Sequence, residues 1–360
     1  MFPPLYPEES EFANDQVARI AVTGATGYVA ANIVARLLES GHIVHGTTRS
    51  TSSPAAQALM QLPNAKDNLK LFEADVLTSD SFDPVFAGCT FVIHTASPFS
   101  NKVRKNEVDA KLIKPAVQGT ENVLKAVERS SSVKRVVLTS SIAAIAGLPD
   151  ERGESYTFTE QDWSLTPSPT RLPYYYSKRE AEKKAWEIAE TATHWDLSVM
   201  NPGLVMGPPA INRAEGESIS TMQQIVKGQF SMACPKIGLA FVDVRDVAAA
   251  HCLALTHPKA GGQRFILSAK TVDIQDMVKE TAILFPSKVK APSITVSRWL
   301  GKIVGPCMGL SADVVDLFGR TINDFSSEKV KKELGLSFIP VSQTLKDMAE
   351  AMSSFKMIKL

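Results

Sequence analysis

The chain has 360 residues, 44% hydrophobic and 21% charged, which suits one large or two medium globular domains with a sizeable core. A formal net charge of +1 gives no electrostatic case for nucleic acid or an anionic membrane surface, and no apolar run reaches the ~18 residues a spanning helix needs. Cys89, Cys234, Cys252 and Cys307 are scattered, with no CxxC pair or Cys/His cluster, so no metal site is expected and the cysteines read as small buried residues of a reducing, cytoplasmic setting.

Residues 1–16 carry Pro3, Pro4, Pro7 and several acids, without a basic start or an apolar centre, and are expected to form a loose tail rather than a signal peptide. From Val17 an apolar run ends at Thr23 and passes into Gly24, Ala25, Thr26, Gly27, Tyr28, Val29 and Ala30. Val29, Ile33, Val34, Leu37 and Leu38 then share one face at helical spacing, and Gly41 follows Ser40 where a helix stop belongs. Strand, glycine turn and helix form the unit that sets a dinucleotide pyrophosphate on a helix N-terminus. Gly24 permits backbone angles closed to other residues, Gly27 permits close approach of the phosphates, and Ala30 is small enough for helix and strand to pack.

The second strand, His42 to Arg49, has no acid at its end, where an NAD-selecting site places one for the ribose hydroxyls. Arg49 stands there instead, followed by Ser50, Thr51, Ser52 and Ser53. A guanidinium binds a 2′-phosphate bidentately, so the cofactor is read as NADP(H). Leu69 to Val76 reads as the third strand. Asp75 and Val76 at its carboxyl end are assigned to the adenine, from whose amino group the carboxylate would accept a hydrogen bond.

Ser79 to Ala87 reads as a short helix and Cys89 to Pro98 as the fourth strand. The apolar run Phe91 to Ile93 suits a strand covered on both faces. Thr95, Ala96 and Ser97 are small and leave room for the cofactor at the sheet's carboxyl edge, and His94 reads as a packed strand residue rather than a catalyst. Asn106 to Arg129 is expected to be helical, bent near Pro115. The fifth strand, Val133 to Ser141, runs into hydroxyls at the edge where open α/β sheets bind ligands.

After a polar loop, residues 175–190 read as helix. Tyr174 and Lys178 are i and i+4, so both project from one face. An ammonium beside a phenol is expected to lower its pKa and make it a usable general acid. Leu197 onward is a sixth strand, ending in Pro202, Gly203, Leu204 and Val205, which would pack beneath a nicotinamide. Beyond it the alternation loosens: helices at 217–228, 245–255 and 272–285, strands at 241–244 and 263–268. No tether separates the halves.

The expected fold is α/β, a Rossmann-type doubly wound parallel sheet with a smaller, interwoven C-terminal substrate-binding region. The cofactor domain would span 17–202 with returning segments near 240–270, and 203–360 would mainly bind substrate. Phe99, Tyr175 and Met206 are the candidate lining of an apolar substrate pocket.

Together these motifs resemble the extended short-chain dehydrogenase/reductase superfamily, in its dihydroflavonol reductase, cinnamoyl-CoA reductase and aldehyde reductase branch. The carriers are Val22 to Ala30, Gly46 to Arg49, His94 to Pro98, Val136 to Ser141, Tyr174 to Lys178, Asn201 to Val205, Phe241 to His251 and Asn323 to Val330. The resemblance implies a Ser–Tyr–Lys group. Ser141, with Ser140 as the alternative, would hydrogen-bond a carbonyl oxygen; Tyr174 would protonate it; Lys178 would hold the nicotinamide ribose. It implies an NADPH-dependent reductase of a small-molecule carbonyl compound, acting as monomer or homodimer. Two departures stand out. Cinnamoyl-CoA reductases carry Asn-Trp-Tyr-Cys-Tyr around the tyrosine, where this chain reads Leu172-Pro-Tyr-Tyr-Tyr, which argues against a CoA thioester. Relatives often add a lysine past the arginine, where this chain has Ser52, Ser53, Pro54 and Ala55. Epimerase and dehydratase relatives favour an acid at the second strand's end, and non-catalytic redox sensors commonly lose the Tyr–Lys pair; neither pattern is present.

Overall fold

The computed structural model describes residues 17–97, 105–148, 151–153, 155–213, 216–304, 315–319 and 323–360. Arg19–Thr23 (β1) passes through the glycine turn into Tyr28–Glu39 (α1) and Ile43–Thr48 (β2). Burial of Ile33, Val34, Leu37 and Leu38 makes this helix amphipathic toward the sheet, with Val29 only partly covered. Gly41, at φ 80°, closes it: its N–H donates to the Leu38 carbonyl and that of His42 to the Leu37 carbonyl. This pair of bonds satisfies two of the last helical carbonyls and needs a residue at ease in the left-handed region.

Pro54–Leu59 (α2), Ala65–Asn68 (α3), Leu69–Glu73 (β3), Asp83–Phe86 (α4), Phe91–His94 (β4), Lys114–Arg129 (α5), Arg135–Thr139 (β5), Pro173–Ala189 (α6) and Asp196–Pro202 (β6) follow. The chain then forms Leu204–Met206 (β7), Glu217–Val226 (α7), Ala233–Pro235 (β8), Gly238–Asp243 (β9), Val244–Thr256 (α8), Gln263–Leu267 (β10), Lys270–Asp273 (β11) and Ile274–Leu284 (α9). Seven parallel strands lie in the order β10-β6-β5-β4-β1-β2-β3. The order reverses between β1 and β4, which places the ligand crevice of such a sheet at their carboxyl ends.

Strand β1 shows why the sheet is wound on both faces. Ile20 and Val22 join a core with α1 and α8, while Ala21 between them joins one with α5, α6 and Phe82. Alternate residues point to opposite faces, so a strand apolar at every position requires helices on both sides. The fold class is therefore the doubly wound α/β sheet the pattern called for. A second sheet, β11-β9-β7, and a third pair, β12-β8 with Ile294–Val296 as β12, carry the C-terminal region. Its core gathers Met206, Ile219, Met222, Phe241, Met277, Leu345 and Met348.

Three local expectations are corrected. The helix expected from Val272 begins at Ile274, because Lys270–Asp273 pairs antiparallel with β9 instead. The third strand ends at Glu73, since the chain turns at Asp75, whose carbonyl accepts from the N–H of Thr78. The segment before α5 is a 3₁₀ turn (Lys105–Glu107) and a π-helical turn (Asp109–Ile113), with Pro115 in the first turn of α5, where a missing N–H is harmless.

Candidate active site

The glycine turn is pinned from both neighbouring strands. From β2, the Thr47 carbonyl accepts from the N–H of Ala25 at 2.8 Å, and its hydroxyl from that of Gly24 at 2.9 Å. From the end of β4, the N–H groups of Thr95 and Ala96 donate to the Thr23 hydroxyl at 3.1 and 3.0 Å, and the Thr95 hydroxyl donates to the Thr23 carbonyl. With its oxygen accepting twice, Thr23 is left to donate to His94 Nδ1, 2.8 Å away. Burial, with the charge of Lys178 adding to it, pushes His94 down to about 3, so a neutral acceptor ring fits this role. Gly24 has φ 63°, and a Cβ there would lie 3.1 Å from the Ala96 Cβ. Gly27 caps α1 with no side-chain bond, and no acid occupies the helix's first turn. An open helix N-terminus beneath a backbone-only turn fits a dinucleotide pyrophosphate.

Arg49 is exposed just past β2 and, among the described residues, makes no hydrogen bond or ion pair. The hydroxyls after it shape their own loop. Thr51 donates from its N–H and its hydroxyl to Glu73, at 2.9 and 3.0 Å, and Ser53 caps α2 by accepting from the N–H of Ala56. Asp75 is exposed, its carboxylate accepting from the N–H of Leu77 at 2.9 Å. Val76 packs on Gly119 of α5, and its carbonyl accepts from Asn122 at 2.8 Å. Pro202 closes β6, and Leu204 and Val205 pair with β9, so 202–205 is where the main sheet hands over to the second. Ser97 ends the described part of this edge.

Ser141, Tyr174 and Lys178 meet at the carboxyl end of β5. The Ser141 side chain hydrogen-bonds Tyr174, and Lys178 Nζ lies 5.9 Å from the Tyr174 ring centroid. Leu172, at φ 52°, turns the chain into α6 just ahead of Tyr174, a left-handed conformation that costs a non-glycine residue about 1 kcal/mol. The tyrosine packs against the cluster of Val108, just before the π-helical turn, and Leu112 and Ile113 within it. The two serines just past β5 have different partners: Ser140 donates to Glu182, and Ser141 hydrogen-bonds the tyrosine.

One expectation about electrostatics is reversed. Lys178 does not draw the phenol down. Burial, followed by Tyr175, holds Tyr174 well above the usual tyrosine range, and the bond from Ser141 offsets only part of this. Desolvation costs the phenolate more than a cation seated over the ring returns. Lys178 itself is pushed down to about 8 by burial, against the opposing pull of Glu182.

Sequence reasoning missed Glu182. It sits one turn past Lys178, wholly buried, with its carboxylate shared among Ser140, Asn201 (2.8 Å), Arg264 (2.6 Å) and Trp186. Asn201 also donates to the Ser141 carbonyl at 3.1 Å, tying β6 to the serine turn. The signal was present as a third member of the Tyr174, Lys178 stripe at helical spacing.

Of the substrate-lining candidates, Tyr175 stands edge-on to Tyr174, with centroids 6.1 Å apart at 86°. Met206 is fully buried in the C-terminal core and packs there instead of lining an open pocket. Phe99 lies outside the described residues. No group of His, Cys, Asp and Glu able to hold a metal occurs among the described residues, and no helix among them is long and apolar enough to cross a membrane.

This fold and this site define a dinucleotide-binding enzyme. Residues 20–268 match the NAD dependent epimerase/dehydratase family, and the chain belongs to that family. It is 34% identical over 350 residues to cinnamoyl-CoA reductase CAD2 of Medicago truncatula, covering 95% of this chain and 97% of that one. It is 31% identical to the NADPH-dependent methylglyoxal reductase GRE2 of Saccharomyces cerevisiae, covering 94% and 98%. The solved structure of Gre2 from Candida albicans in complex with NADPH superposes with a TM-score of 0.79 at 30% identity, covering 94% of this chain and 99% of that one. The resemblance carried by the motifs is borne out.

Proposed function

We propose that this protein reduces an aldehyde or ketone carbonyl to an alcohol with NADPH, using Ser141, Tyr174 and Lys178. The observation that carries this reading is the Ser141–Tyr174 hydrogen bond beside Lys178, at the sheet edge that also holds the glycine turn. The relatives named above as reductases, one of them NADPH-dependent, support it.

The turn from Gly24 to Val29 would hold the pyrophosphate, Arg49 the 2′-phosphate and Lys178 the nicotinamide ribose. Asp75 and Val76 lie where the adenine would be enclosed, Thr95, Ala96 and Ser97 flank the crevice, and Pro202 to Val205 support the nicotinamide. Bound NADPH supplies the hydride. Tyr174 supplies the proton to the carbonyl oxygen. Its raised pKa keeps the phenol protonated across the physiological range, the state a general acid must start in. The Ser141 hydroxyl, which hydrogen-bonds the phenol, would turn its proton to the carbonyl oxygen as charge develops there.

The acceptor is a free carbonyl compound rather than a CoA thioester, since Leu172-Pro173 and Tyr175 replace the pattern typical of enzymes acting on cinnamoyl-CoA. Following NADPH absorbance against aldehydes, α-ketoesters, aryl ketones, a dihydroflavonol and a hydroxycinnamoyl-CoA, with NADH in parallel, tests this. Turnover of a free carbonyl with NADPH is expected. Turnover of the CoA thioester alone would overturn the substrate class, and binding of NADPH with no turnover of any would overturn the reductase reading.

A further inference from the structure

Arg264 lies on β10, at the edge of the main sheet, and its guanidinium ties that strand to α6 and to the loop at 160–163. Nε donates to Glu182 Oε1 at 2.6 Å, and Nη1 donates to the carbonyls of Glu160 and Asp162 at 2.8 and 2.7 Å. Its Cζ sits 3.9 Å from the centroid of the Trp163 ring, over which Lys183 Nζ also lies, at 5.6 Å.

Both oxygens of the Glu182 carboxylate are thereby occupied. Oε1 accepts from Arg264 and, at 3.4 Å, from the Trp186 indole; Oε2 accepts from Ser140 and, at 2.8 Å, from Asn201. The ion-pair partner of this buried carboxylate is Arg264, although Lys178 stands one turn before it on the same helix. Residues four apart on a helix are near enough to pair. Lys178 Nζ lies instead 5.9 Å from the Tyr174 ring centroid. Its lowered pKa agrees, because burial outweighs the pull of Glu182, and a direct ion pair works in the other direction. A buried carboxylate left without a partner is strongly destabilising. With Arg264 removed, the cation one turn away is Lys178.

We infer that Arg264 is a positioning residue for Lys178: by holding the Glu182 carboxylate, it leaves the ammonium free to bind the nicotinamide ribose. This rests on the reading of the site as an NADPH-dependent reductase with Lys178 on the ribose. The titratable groups facing Lys178 are Tyr174 and Glu182 on its own helix and His94 on β4. The ends of β5 and β6 bring the neutral Ser140, Ser141 and Asn201 to the same cluster. Glu182, Glu160 and Lys183 are the charged groups around Arg264 itself.

The test is the pH dependence of kcat/KM and of NADPH affinity in wild type, Arg264→Gln, Arg264→Lys, Glu182→Gln, and Arg264→Gln combined with Glu182→Gln. In Arg264→Gln the released carboxylate pairs with Lys178. NADPH affinity is expected to fall about tenfold, the scale of one lost hydrogen bond to a charged group. The alkaline fall of kcat/KM should move to higher pH, opposite to its movement in Glu182→Gln. Removing the carboxylate as well should rescue NADPH affinity and bring the alkaline fall below its wild-type position, a recovery that a loosened sheet edge would not show. Arg264→Lys, which keeps a cation on the carboxylate, should rescue both readouts. An unmoved alkaline fall in Arg264→Gln would overturn the inference. So would an affinity loss that persists in the double variant, or an equal loss in Arg264→Lys, since either assigns the effect to loop packing. The double variant leaves no buried carboxylate unpaired and keeps the test decisive if Arg264→Gln fails to fold: it must match Glu182→Gln in both readouts. Absence of carbonyl turnover or NADPH binding in wild type would instead overturn the reductase reading.

Discussion

Lys178 sits one helical turn beyond Tyr174, its Nζ 5.9 Å from the tyrosine ring centroid, and one turn before the buried carboxylate of Glu182. The stripe Tyr174, Lys178, Glu182 runs down a single face of α6, because residues four apart stack on a helix. It places a proton donor, a cation and a counter-charge in sequence from the sheet edge inward.

A lysine pushed down to about 8 by burial is held in the folded state at a cost. Lys178→Met is expected to abolish reduction and raise the melting temperature together. The sign with pH follows from the lowered folded pKa. Between about 8 and the ordinary lysine value of 10.5 the unfolded chain binds the extra proton, so wild type gains stability as pH rises through that window. The melting-temperature gap between Lys178→Met and wild type should be widest below pH 8 and narrow above it. A variant less stable than wild type at neutral pH would contradict this.

Activity has its own pH dependence. In the proposed reaction Lys178 would hold the ribose in its protonated form, so kcat/KM for reduction should fall as pH rises through about 8. Glu182 opposes the loss of that proton. The groups facing the pair are His94, held neutral, and Tyr174 beside Lys178, with Arg264, Ser140 and Asn201 on the carboxylate. Glu182→Gln should therefore move the alkaline fall of the pH–rate profile to lower pH. A profile with an unmoved midpoint would remove Glu182 from this role.

The two adjacent serines should behave differently. Ser141→Ala removes the bond to Tyr174 and is expected to lower kcat about 100-fold, the scale for one donor to a developing oxyanion. Ser140→Ala leaves the buried Glu182 short of one donor, which should cost about 1–3 kcal/mol of stability with the chemistry largely kept. Chemical denaturation and single-turnover rates separate the two outcomes.

In the proposed reading, cofactor choice rests on Arg49. Arg49→Ala should weaken NADPH by about 1.5–3 kcal/mol, the scale of a hydrogen bond to a charged group, and leave NADH nearly unchanged. Equal losses for both would take the 2′-phosphate away from Arg49.

The sequence showed the parts of this site that depend on local spacing. Gly24, Gly27 and the apolar face from Ile33 to Leu38 announce strand, turn and helix within about twenty residues. The interval from Tyr174 to Lys178 becomes a contact simply because both lie on a helix. What stayed hidden depends on distant segments meeting. Glu182 gains its meaning from Arg264, which arrives on the strand at the sheet's far edge, and Arg213 reaches Thr26 across 187 positions. The raised pKa of Tyr174 was missed for a similar reason: charge spacing is visible in a helix sequence, but the burial that outweighs it comes from other elements. Thr51 and Ser53, beside Arg49, are tied to Glu73 and to the cap of α2, ties that sequence spacing does not show.

The central claim is that Tyr174 delivers the proton. The measurement that tests it most directly is the single-turnover rate of NADPH oxidation by Tyr174→Phe on a carbonyl that wild type reduces, with NADPH affinity measured on the same preparation. The account predicts unchanged cofactor binding and a rate lower by about 100-fold or more, the scale of a positioned general acid. A phenylalanine variant that binds NADPH and turns over at the wild-type rate would contradict it.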